Sequence, residues 1–289
     1  MGSSEHAAAL RRFAALALRD DDTIHPRGGS MLLAHRSPTR RAFVFLHGLT
    51  ASPMQWDALA RRLHGHGDSV VVPRLPGHGA RNQLTTQLRN LRTPHLIDAA
   101  REALAIARGL GTSVTVVGFS LGGLLAAWLA QHERVEHVVA IAPVLGIAGI
   151  PQIATPLVAA GLSALPNVFL WWDPVRRGRN LPDHGYPRYP THAIAEALHL
   201  AGALARFART TPPATRRITI VTNASETGVN NGAARALARL WQAHDAGAVL
   251  LRRITGLPPS HDVIEPLRPG TLARRAYRQL LPILYDDGP

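Results

Sequence analysis

Short apolar runs recur along this chain, and stretches of mixed apolar and polar residues separate them. The run from Ala42 to Leu46 is apolar throughout, which predicts a strand buried on both faces of a parallel sheet. The predicted strands cover residues 30–35, 42–46, 69–72, 112–117, 135–142, 218–222 and 248–251.

The stretches between the runs carry apolar residues at intervals of three and four, which predicts helices. Residues 94–110 illustrate the spacing with Leu96, Ala99, Ala103 and Ile106. The predicted helices cover residues 53–65, 94–110, 124–130, 231–244 and 270–285, and an amphipathic helix at about 5–19 precedes them. Alternating strands and helices predict an α/β protein with a mostly parallel central sheet and helices on both of its faces.

This alternation breaks down over residues 144–215. The stretch contains seven prolines between positions 151 and 190, and helices are expected at 151–164 and 191–210. We interpret it as an inserted helical cap over the sheet, with the core formed by residues 1–143 and 216–289. Three aromatic side chains of this cap, Phe169, Trp171 and Trp172, are expected to bind substrate, although simple packing explains them equally well.

The charge of the chain suggests a nucleic-acid partner, and the distribution of that charge argues against one. The formal net charge is +13, but all 32 basic residues are arginines scattered singly or in pairs, and aromatic residues make up only 5% of the chain. Nucleic-acid binding needs a basic stripe on one face. We therefore expect no nucleic-acid partner.

Other features exclude further classes of function. The chain has no cysteine, which excludes disulfides, thiolate metal sites and cysteine nucleophiles. His64 and His66 flank glycines at a helix end without further ligands nearby, so no metal site is expected. No apolar stretch reaches the ~20 residues of a membrane span, and the N-terminal residues lack the pattern of a secretory signal. We expect a cytoplasmic protein without integral membrane association.

The strongest chemical signal follows the predicted strand at 112–117. There the chain reads Gly118-Phe119-Ser120-Leu121-Gly122 and then enters a helix. A G-x-S-x-G pattern between a strand and a helix predicts a nucleophile elbow, a sharp turn that exposes the serine hydroxyl at the helix N-terminus. The pentapeptide also occurs by chance, and Ser120 would then only cap the helix.

A nucleophilic serine needs an imidazole to take its proton and a carboxylate to orient that imidazole, here in the chain order serine, acid, histidine. His244 lies on a predicted helix, whereas His261 lies in the loop after the last strand and is the predicted base. Glu226 is the sole carboxylate in the loop after residues 218–222 and is the predicted acid, unless it is merely solvated. Asp262 is expected to hydrogen-bond the loop backbone.

The oxyanion of such a reaction needs two backbone donors. The N–H of Leu121, directly after the serine, is one candidate, and the N–H of Leu49, in the loop after residues 42–46, is the other. His47 and His78 are expected to brace the neighbouring loops rather than to react.

These motifs together resemble those of the α/β-hydrolase superfamily, and within it the bacterial carboxylesterases and monoacylglycerol lipases. The matching segments are His47-Gly48-Leu49-Thr50, Arg74-Leu75-Pro76-Gly77-His78-Gly79, Gly118 to Gly123 and Ser260-His261-Asp262, with Glu226 where aspartate is usual. The resemblance implies an α/β-hydrolase fold. It also implies that a small-molecule ester, with a short or medium acyl chain or of the monoglyceride type, is hydrolysed through an acyl-enzyme without a cofactor.

Two alternatives to ester hydrolysis stay open. The same three residues also serve hydrolysis of C–C bonds or amides and acyl transfer to an alcohol. A ligand-binding protein that retains the hydrolase scaffold without catalysis is the second alternative, and the intact, correctly ordered triad argues against it.

Overall fold

The computed structural model describes residues 2–175, 177, 182–245, 247–268 and 270–286. These residues form a seven-stranded sheet and a separate two-stranded hairpin. The sheet consists of β1 (Met31–Leu33), β2 (Thr39–Leu46), β3 (Ser69–Val72), β4 (Gly111–Phe119), β5 (His137–Ile141), β8 (Ile218–Asn223) and β9 (Val249–Ile254), and the hairpin of β6 (Phe169–Trp171) and β7 (Arg188–Pro190).

Helices connect the strands on both sides of the sheet. They are α1 (Ser3–Ala17), α2 (Asp57–Gly65), α3 (Thr93–Arg108), α4 (Leu121–His132), α5 (Thr155–Ala164), α6 (Thr191–Thr210), α7 (Asn231–Gln242) and α8 (Ala273–Leu284), with short 3₁₀ turns at Pro53–Trp56, Gln87–Asn90 and Gln152–Ala154. Among the described residues, no helix combines the length and the apolar content that crossing a membrane requires.

The strands lie in the order β1-β3-β2-β4-β5-β8-β9. β1 pairs antiparallel with β3, and the other neighbours pair in parallel. The predicted fold class, a mostly parallel sheet covered by helices, is therefore confirmed. The order reverses at β2, which pairs with both β3 and β4, and ligands of open α/β sheets bind beyond the carboxyl ends of the strands at such a reversal.

The register of β2 and β4 places two site loops side by side. Leu46, the last residue of β2, pairs with Gly118 of β4. The loop that begins at His47 and the turn at Ser120 therefore leave the sheet at the same edge. β2 also begins earlier than predicted, because its polar residues Thr39 to Arg41 pair with the start of β4 and an apolar pattern does not mark them.

The core lies where the apolar runs predicted it. The last five residues of β2, all of β3 and all of β5 are buried, whereas β9 at the sheet edge exposes Leu251 to Arg253. Helix α4 is buried almost all round, as expected of a helix with apolar residues on every side. This central position fixes its N-terminus, and with it Ser120, against the sheet.

The region predicted as a cap holds α5, α6 and the β6–β7 hairpin. Both predicted helices of this region are present, but the hairpin was not predicted, because three-residue strands are too short to show a period. α6 packs against α5 and also against α4 and α7. The division into a core (1–143 and 216–289) and a cap (144–215) stays a proposal.

One glycine allows α4 to approach the sheet closely. A Cβ atom at Gly122 would overlap the carbonyl group of Leu46, which belongs to rigid backbone. We expect Gly122→Ala to lower the free energy of unfolding by about 1–3 kcal/mol, as overpacking in a core does. Urea denaturation measures this change.

Gly161 of α5 provides the matched control. Apart from its chain neighbours and the backbone of its own helix, a Cβ atom there would meet no described atom within 4 Å. Gly161→Ala is therefore expected to raise the free energy of unfolding by about 0.5–1 kcal/mol, the ordinary gain for alanine over glycine in a helix. Equal effects of the two substitutions would contradict the role assigned to the close approach at Gly122.

Candidate active site

The turn at Ser120 is strained. Ser120 has φ 56° and ψ −111°, in a region that residues with a side chain rarely adopt. Its N–H donates to the carbonyl of Ile141 (3.0 Å), and its own carbonyl accepts from the N–H groups of Leu124 (2.9 Å) and Val144 (3.1 Å). Such conformations cost about 1–3 kcal/mol and persist where the surroundings enforce them. These bonds hold the hydroxyl at the start of α4.

His261 bonds to both of its predicted partners. Its Nε2 lies 2.7 Å from Oγ of Ser120, and its Nδ1 lies 2.8 Å from Oε1 of Glu226. Because a carboxylate accepts and does not donate, the bond at Nδ1 assigns the proton to that atom and leaves Nε2 to accept the serine proton. The structure thus brings Ser120, His261 and Glu226 into one hydrogen-bonded chain.

Glu226 is held by its own loop. Its Oε1 also accepts the backbone N–H groups of Gly228 (2.7 Å) and Val229 (3.2 Å), and only 1% of its side chain is exposed. Its Oε2 is buried and has no hydrogen-bond partner among the described residues. A Cβ atom at Gly228 would lie 2.8 Å from the His261 ring, so the absence of a side chain at this position leaves room for the imidazole.

The two predicted oxyanion donors, Leu49 and Leu121, line the same cavity as Ser120. Leu121 is the first residue of α4, so its N–H has no acceptor within the helix. Leu49 follows Gly48, whose N–H donates to the side-chain oxygen of Gln55 (2.9 Å). The arrangement suits a developing negative charge at the helix N-terminus.

Gln55 is a residue of this site that sequence reasoning missed. It is 1% exposed; its oxygen holds Gly48, and its amide Nε2 donates to Oδ2 of Asp262 at 3.4 Å. It thereby joins the Leu49 loop to the residue after His261. No signal in the sequence identifies it, because the two ends of this bridge are 207 residues apart.

The two bracing histidines are buried and neutral. Burial lowers the pKa of His47 well below its ordinary value. Nδ1 of His47 donates to the carbonyl of Gly48 (3.0 Å), and its Nε2 accepts the N–H of Leu75 (3.1 Å). Burial also lowers the pKa of His78 to about 4, and its Nδ1 donates to the carbonyl of Pro76 (3.0 Å).

Asp262 bonds to the loop backbone and not to the imidazole. Its Oδ1 accepts the N–H of Glu265 (3.3 Å). Burial raises the pKa of Asp262, and the charge of Glu265 raises it further, whereas Arg268 acts in the opposite direction. The geometry therefore favours Glu226 over Asp262 as the partner of His261.

A cavity of about 480 Å³ lies over Ser120. Of the cap aromatics expected to bind substrate, Trp172 lines it, with its indole N–H donating to Oγ1 of Thr50 (2.8 Å). Phe169 and Trp171 are not among its lining residues. Successive side chains of a strand point to opposite faces, which places these two away from Trp172.

The opposite face of the hairpin carries cation–π contacts. The guanidinium of Arg188 lies 4.7 Å from the Phe169 ring centroid, and that of Arg177 lies 5.9 Å from the Trp171 centroid. Sequence reasoning did not assign several other cavity residues of this region to the site, and apart from the two aromatic ones nothing in the pattern marks them: Ile147, His184, Tyr186, Tyr189 and Ile194. The described residues hold no group of three or more histidines and carboxylates arranged for a metal ion.

A strained serine at a helix N-terminus, bonded to a histidine and then to an acid on an α/β sheet, defines a hydrolase-type site. The family model of the alpha/beta hydrolase family matches residues 43–275, which is most of the chain. The protein therefore belongs to the alpha/beta hydrolase family, and the predicted resemblance is confirmed.

Two curated relatives match part of the chain. This chain is 26% identical over 163 residues to the thermostable monoacylglycerol lipase of Bacillus sp. (strain H-257), and the match covers 56% of this chain and 61% of that protein. It is 32% identical over 162 residues to the magnesium-chelatase 30 kDa subunit of Rhodobacter capsulatus, covering 55% of this chain and 51% of that protein. The matches thus span about three fifths and about half of these relatives.

Solved structures resemble the whole fold. The monoacylglycerol lipase of Paleococcus ferrophilus aligns with a TM-score of 0.67 at 17% identity over 90% of this chain and 98% of that one. A soluble variant of the Saccharomyces cerevisiae monoglyceride lipase, bound to a substrate analog, aligns with a TM-score of 0.67 at 13% identity over 90% and 92%. At these identities the likeness establishes the fold.

The buried histidines make stability depend on pH. In the unfolded chain His78 binds a proton below its ordinary pKa of about 6.5, whereas the folded protein keeps it neutral down to about 4. Because the unfolded state then binds more protons, the free energy of unfolding falls as the pH drops through this window, by about 2 kcal/mol for this residue near pH ~5. Urea denaturation over a pH series measures the slope.

His78→Asn isolates this contribution, because the asparagine amide replaces the Nδ1 donor to Pro76 without titrating. The variant is expected to be less stable at neutral pH but to lose less stability on acidification than the wild type. An unchanged slope between neutral pH and about pH 5 would show that His78 is not kept neutral in the folded state.

Proposed function

We propose that this protein is a serine hydrolase that cleaves carboxylic esters through an acyl-enzyme intermediate. The single observation that carries the proposal is the continuous chain from Ser120 through His261 to Glu226, with distances of 2.7 and 2.8 Å, at a strained turn. A strained nucleophile position and a base oriented by a buried acid are the requirements of this chemistry.

In the first step, Nε2 of His261 takes the proton of Ser120 while Oγ attacks the ester carbonyl carbon. The carbonyl oxygen becomes an oxyanion and is stabilised by the N–H groups of Leu49 and Leu121 and by the N-terminus of α4. Glu226 stabilises the imidazolium of His261, which then gives its proton to the alcohol oxygen as the C–O bond breaks.

The second step releases the acid. Water attacks the acyl group on Ser120, and His261 takes a proton from that water and returns it to the serine oxygen. Neither of these two reaction steps needs a cofactor. The apolar part of the cavity and Trp172 support an acyl chain of short or medium length as the substrate, and the similarity to a monoacylglycerol lipase supports monoglycerides among the candidates.

Ser120→Ala tests the nucleophile. We expect kcat/KM on p-nitrophenyl esters of increasing chain length to fall by about 10⁶-fold, because the attacking oxygen is lost. A fluorophosphonate probe should label the wild type at Ser120 and leave the variant unlabelled, as judged by intact-protein mass.

Ser163→Ala is the matched control. Ser163 also lies beside a histidine, with its Oγ 3.0 Å from Nε2 of His199, but on the exposed part of α5. This variant should keep wild-type turnover and labelling. A wild-type protein that hydrolyses no ester and resists the probe would instead support a binding protein, and turnover of amides or C–C bonds with labelling intact would redirect the proposal to that chemistry.

Glu226→Gln tests the acid. The amide can no longer stabilise the imidazolium or enforce the same ring tautomer, so kcat should fall by about 10⁴-fold while labelling by the probe becomes slow. Asp262→Asn keeps the acceptor for Glu265 and should cost far less. If the Asp262 substitution were the more damaging one, the assignment of the acid to Glu226 would be wrong.

A further inference from the structure

The loop that carries Leu49 has peptide groups that are held by neighbouring groups. In the trans peptide between Gly48 and Leu49, the carbonyl of Gly48 and the N–H of Leu49 point in opposite directions. Nδ1 of His47 (3.0 Å) and the N–H of Ala51 (3.2 Å) both donate to this carbonyl. These bonds fix the direction of the Leu49 N–H, which has no acceptor among the described residues.

Gln55 holds the peptide that precedes this one. Its Oε1 accepts the N–H of Gly48 (2.9 Å). A glycine without such bonds adopts many backbone conformations, because it has no Cβ. Here one of the two peptide planes that flank Gly48 is held by His47 and the other by Gln55. Together they define both torsion angles of Gly48, and with them the place of the Leu49 N–H.

The backbone of Gln55 is itself anchored to the core. It belongs to the 3₁₀ turn Pro53–Trp56, and its N–H donates to the carbonyl of Ser52 (3.0 Å). Trp56, the next residue, is fully buried and stacks on Phe45 of β2 with the ring centroids 4.6 Å apart. Gln55 therefore holds the loop from a fixed position beside the sheet.

The other end of the Gln55 amide reaches the loop of the proposed base. Its Nε2 donates to Oδ2 of Asp262 (3.4 Å), the residue that follows His261. The partners define the orientation of the amide, because a backbone N–H only donates and a carboxylate only accepts. Oε1 therefore faces Gly48 and Nε2 faces Asp262, so a single amide joins the two loops.

We propose that Gln55 is a positioning residue that fixes the Leu49 N–H relative to His261. This inference rests on the proposed ester hydrolysis. In that reaction, negative charge develops on the carbonyl oxygen while His261 takes the serine proton, so both groups must be in place at the same moment. Gln55 acts through Gly48 and Asp262. An interaction that matters only in the transition state changes kcat and not KM.

Gln55→Met removes both hydrogen bonds and keeps a side chain of similar length. We expect kcat on p-nitrophenyl butyrate to fall by about 10- to 100-fold with KM within about threefold of wild type, because outright loss of an oxyanion donor costs about 10²–10³-fold. The Ki of 1,1,1-trifluorononan-2-one, which forms a tetrahedral oxyanion on Ser120, should rise by the factor by which kcat/KM falls. The Ki of the corresponding alcohol, which forms no adduct, should stay unchanged.

A reversed bridge tests the link between the two loops. Gln55→Glu keeps the acceptor for Gly48 but sets a second oxygen against the carboxylate of Asp262. Asp262→Asn keeps the acceptor for Glu265 but sets its NH₂ group against that of Gln55. Each single substitution should lower kcat by about 10-fold, because it opposes two acceptors or two donors.

The double variant Gln55→Glu/Asp262→Asn restores the hydrogen bond in the opposite direction. The amide of position 262 then donates to the carboxylate of position 55, and the charge of the pair is the same as in the wild type. We expect kcat to return to within about threefold of wild type, a strong coupling in the double-mutant cycle.

Gln131→Met is the matched control. Gln131 is a second buried glutamine bonded at both ends: its Nε2 donates to the carbonyls of Thr211 (3.1 Å) and Pro212 (3.2 Å), and its Oε1 accepts the indole N–H of Trp241 (2.7 Å). It lies near the C-terminal end of α4. This variant should be less stable in thermal unfolding and keep the wild-type kcat and Ki.

Three results would overturn the positioning role and leave ester hydrolysis intact. They are a wild-type kcat in Gln55→Met, a loss that appears in KM alone, and additive losses in the double variant. A wild-type protein that hydrolyses no ester would instead defeat the proposed function, and this inference with it. Where thermal unfolding shows that Gln55→Met is not folded, the kcat of the double variant decides the proposal.

Discussion

The close packing of α4 against β2 and β4 is the constraint on which the candidate site depends. Because residues 118 and 122 are glycines, the backbone of α4 can lie directly against the backbone of β2 and β4. Ser120, in the turn between these glycines, has a strained conformation. The strain is held by hydrogen bonds to neighbouring strands and loops, so it cannot relax without opening the sheet. The position of the Ser120 hydroxyl therefore depends on the packing of the whole core.

Buried polar groups around the serine fix the loops that surround it. His47 and Gln55 fix the loop that carries Leu49, and Glu226 is fixed by the backbone of its own turn. Each of these groups is held at a cost in solvation that only hydrogen bonding offsets. Hydrogen bonds to these buried groups give the site a rigid geometry, and rigid geometry is what electrostatic stabilisation of a transition state requires.

The fold and the three-residue chain could be predicted from the sequence because both depend on local pattern and chain order. Apolar runs marked the buried strands, and the order of elements singled out His261 and Glu226. Gln55 and His184 could not be predicted, since their partners Asp262 and Ser52 lie 207 and 132 residues away and no periodic pattern records such contacts. The β6–β7 hairpin was also not predicted, because strands of three residues are too short to show a period.

Thr50 connects the region predicted as a cap to the loop that carries Leu49. Its Oγ1 accepts the indole N–H of Trp172, and its carbonyl accepts the N–H of Tyr186 (2.7 Å). Residues that line the cavity and the loop that carries Leu49 are therefore parts of one hydrogen-bonded unit. Under the proposed function, substrate selectivity and turnover rate depend on the same hydrogen bonds, so an evolutionary or engineered change in one is expected to affect the other.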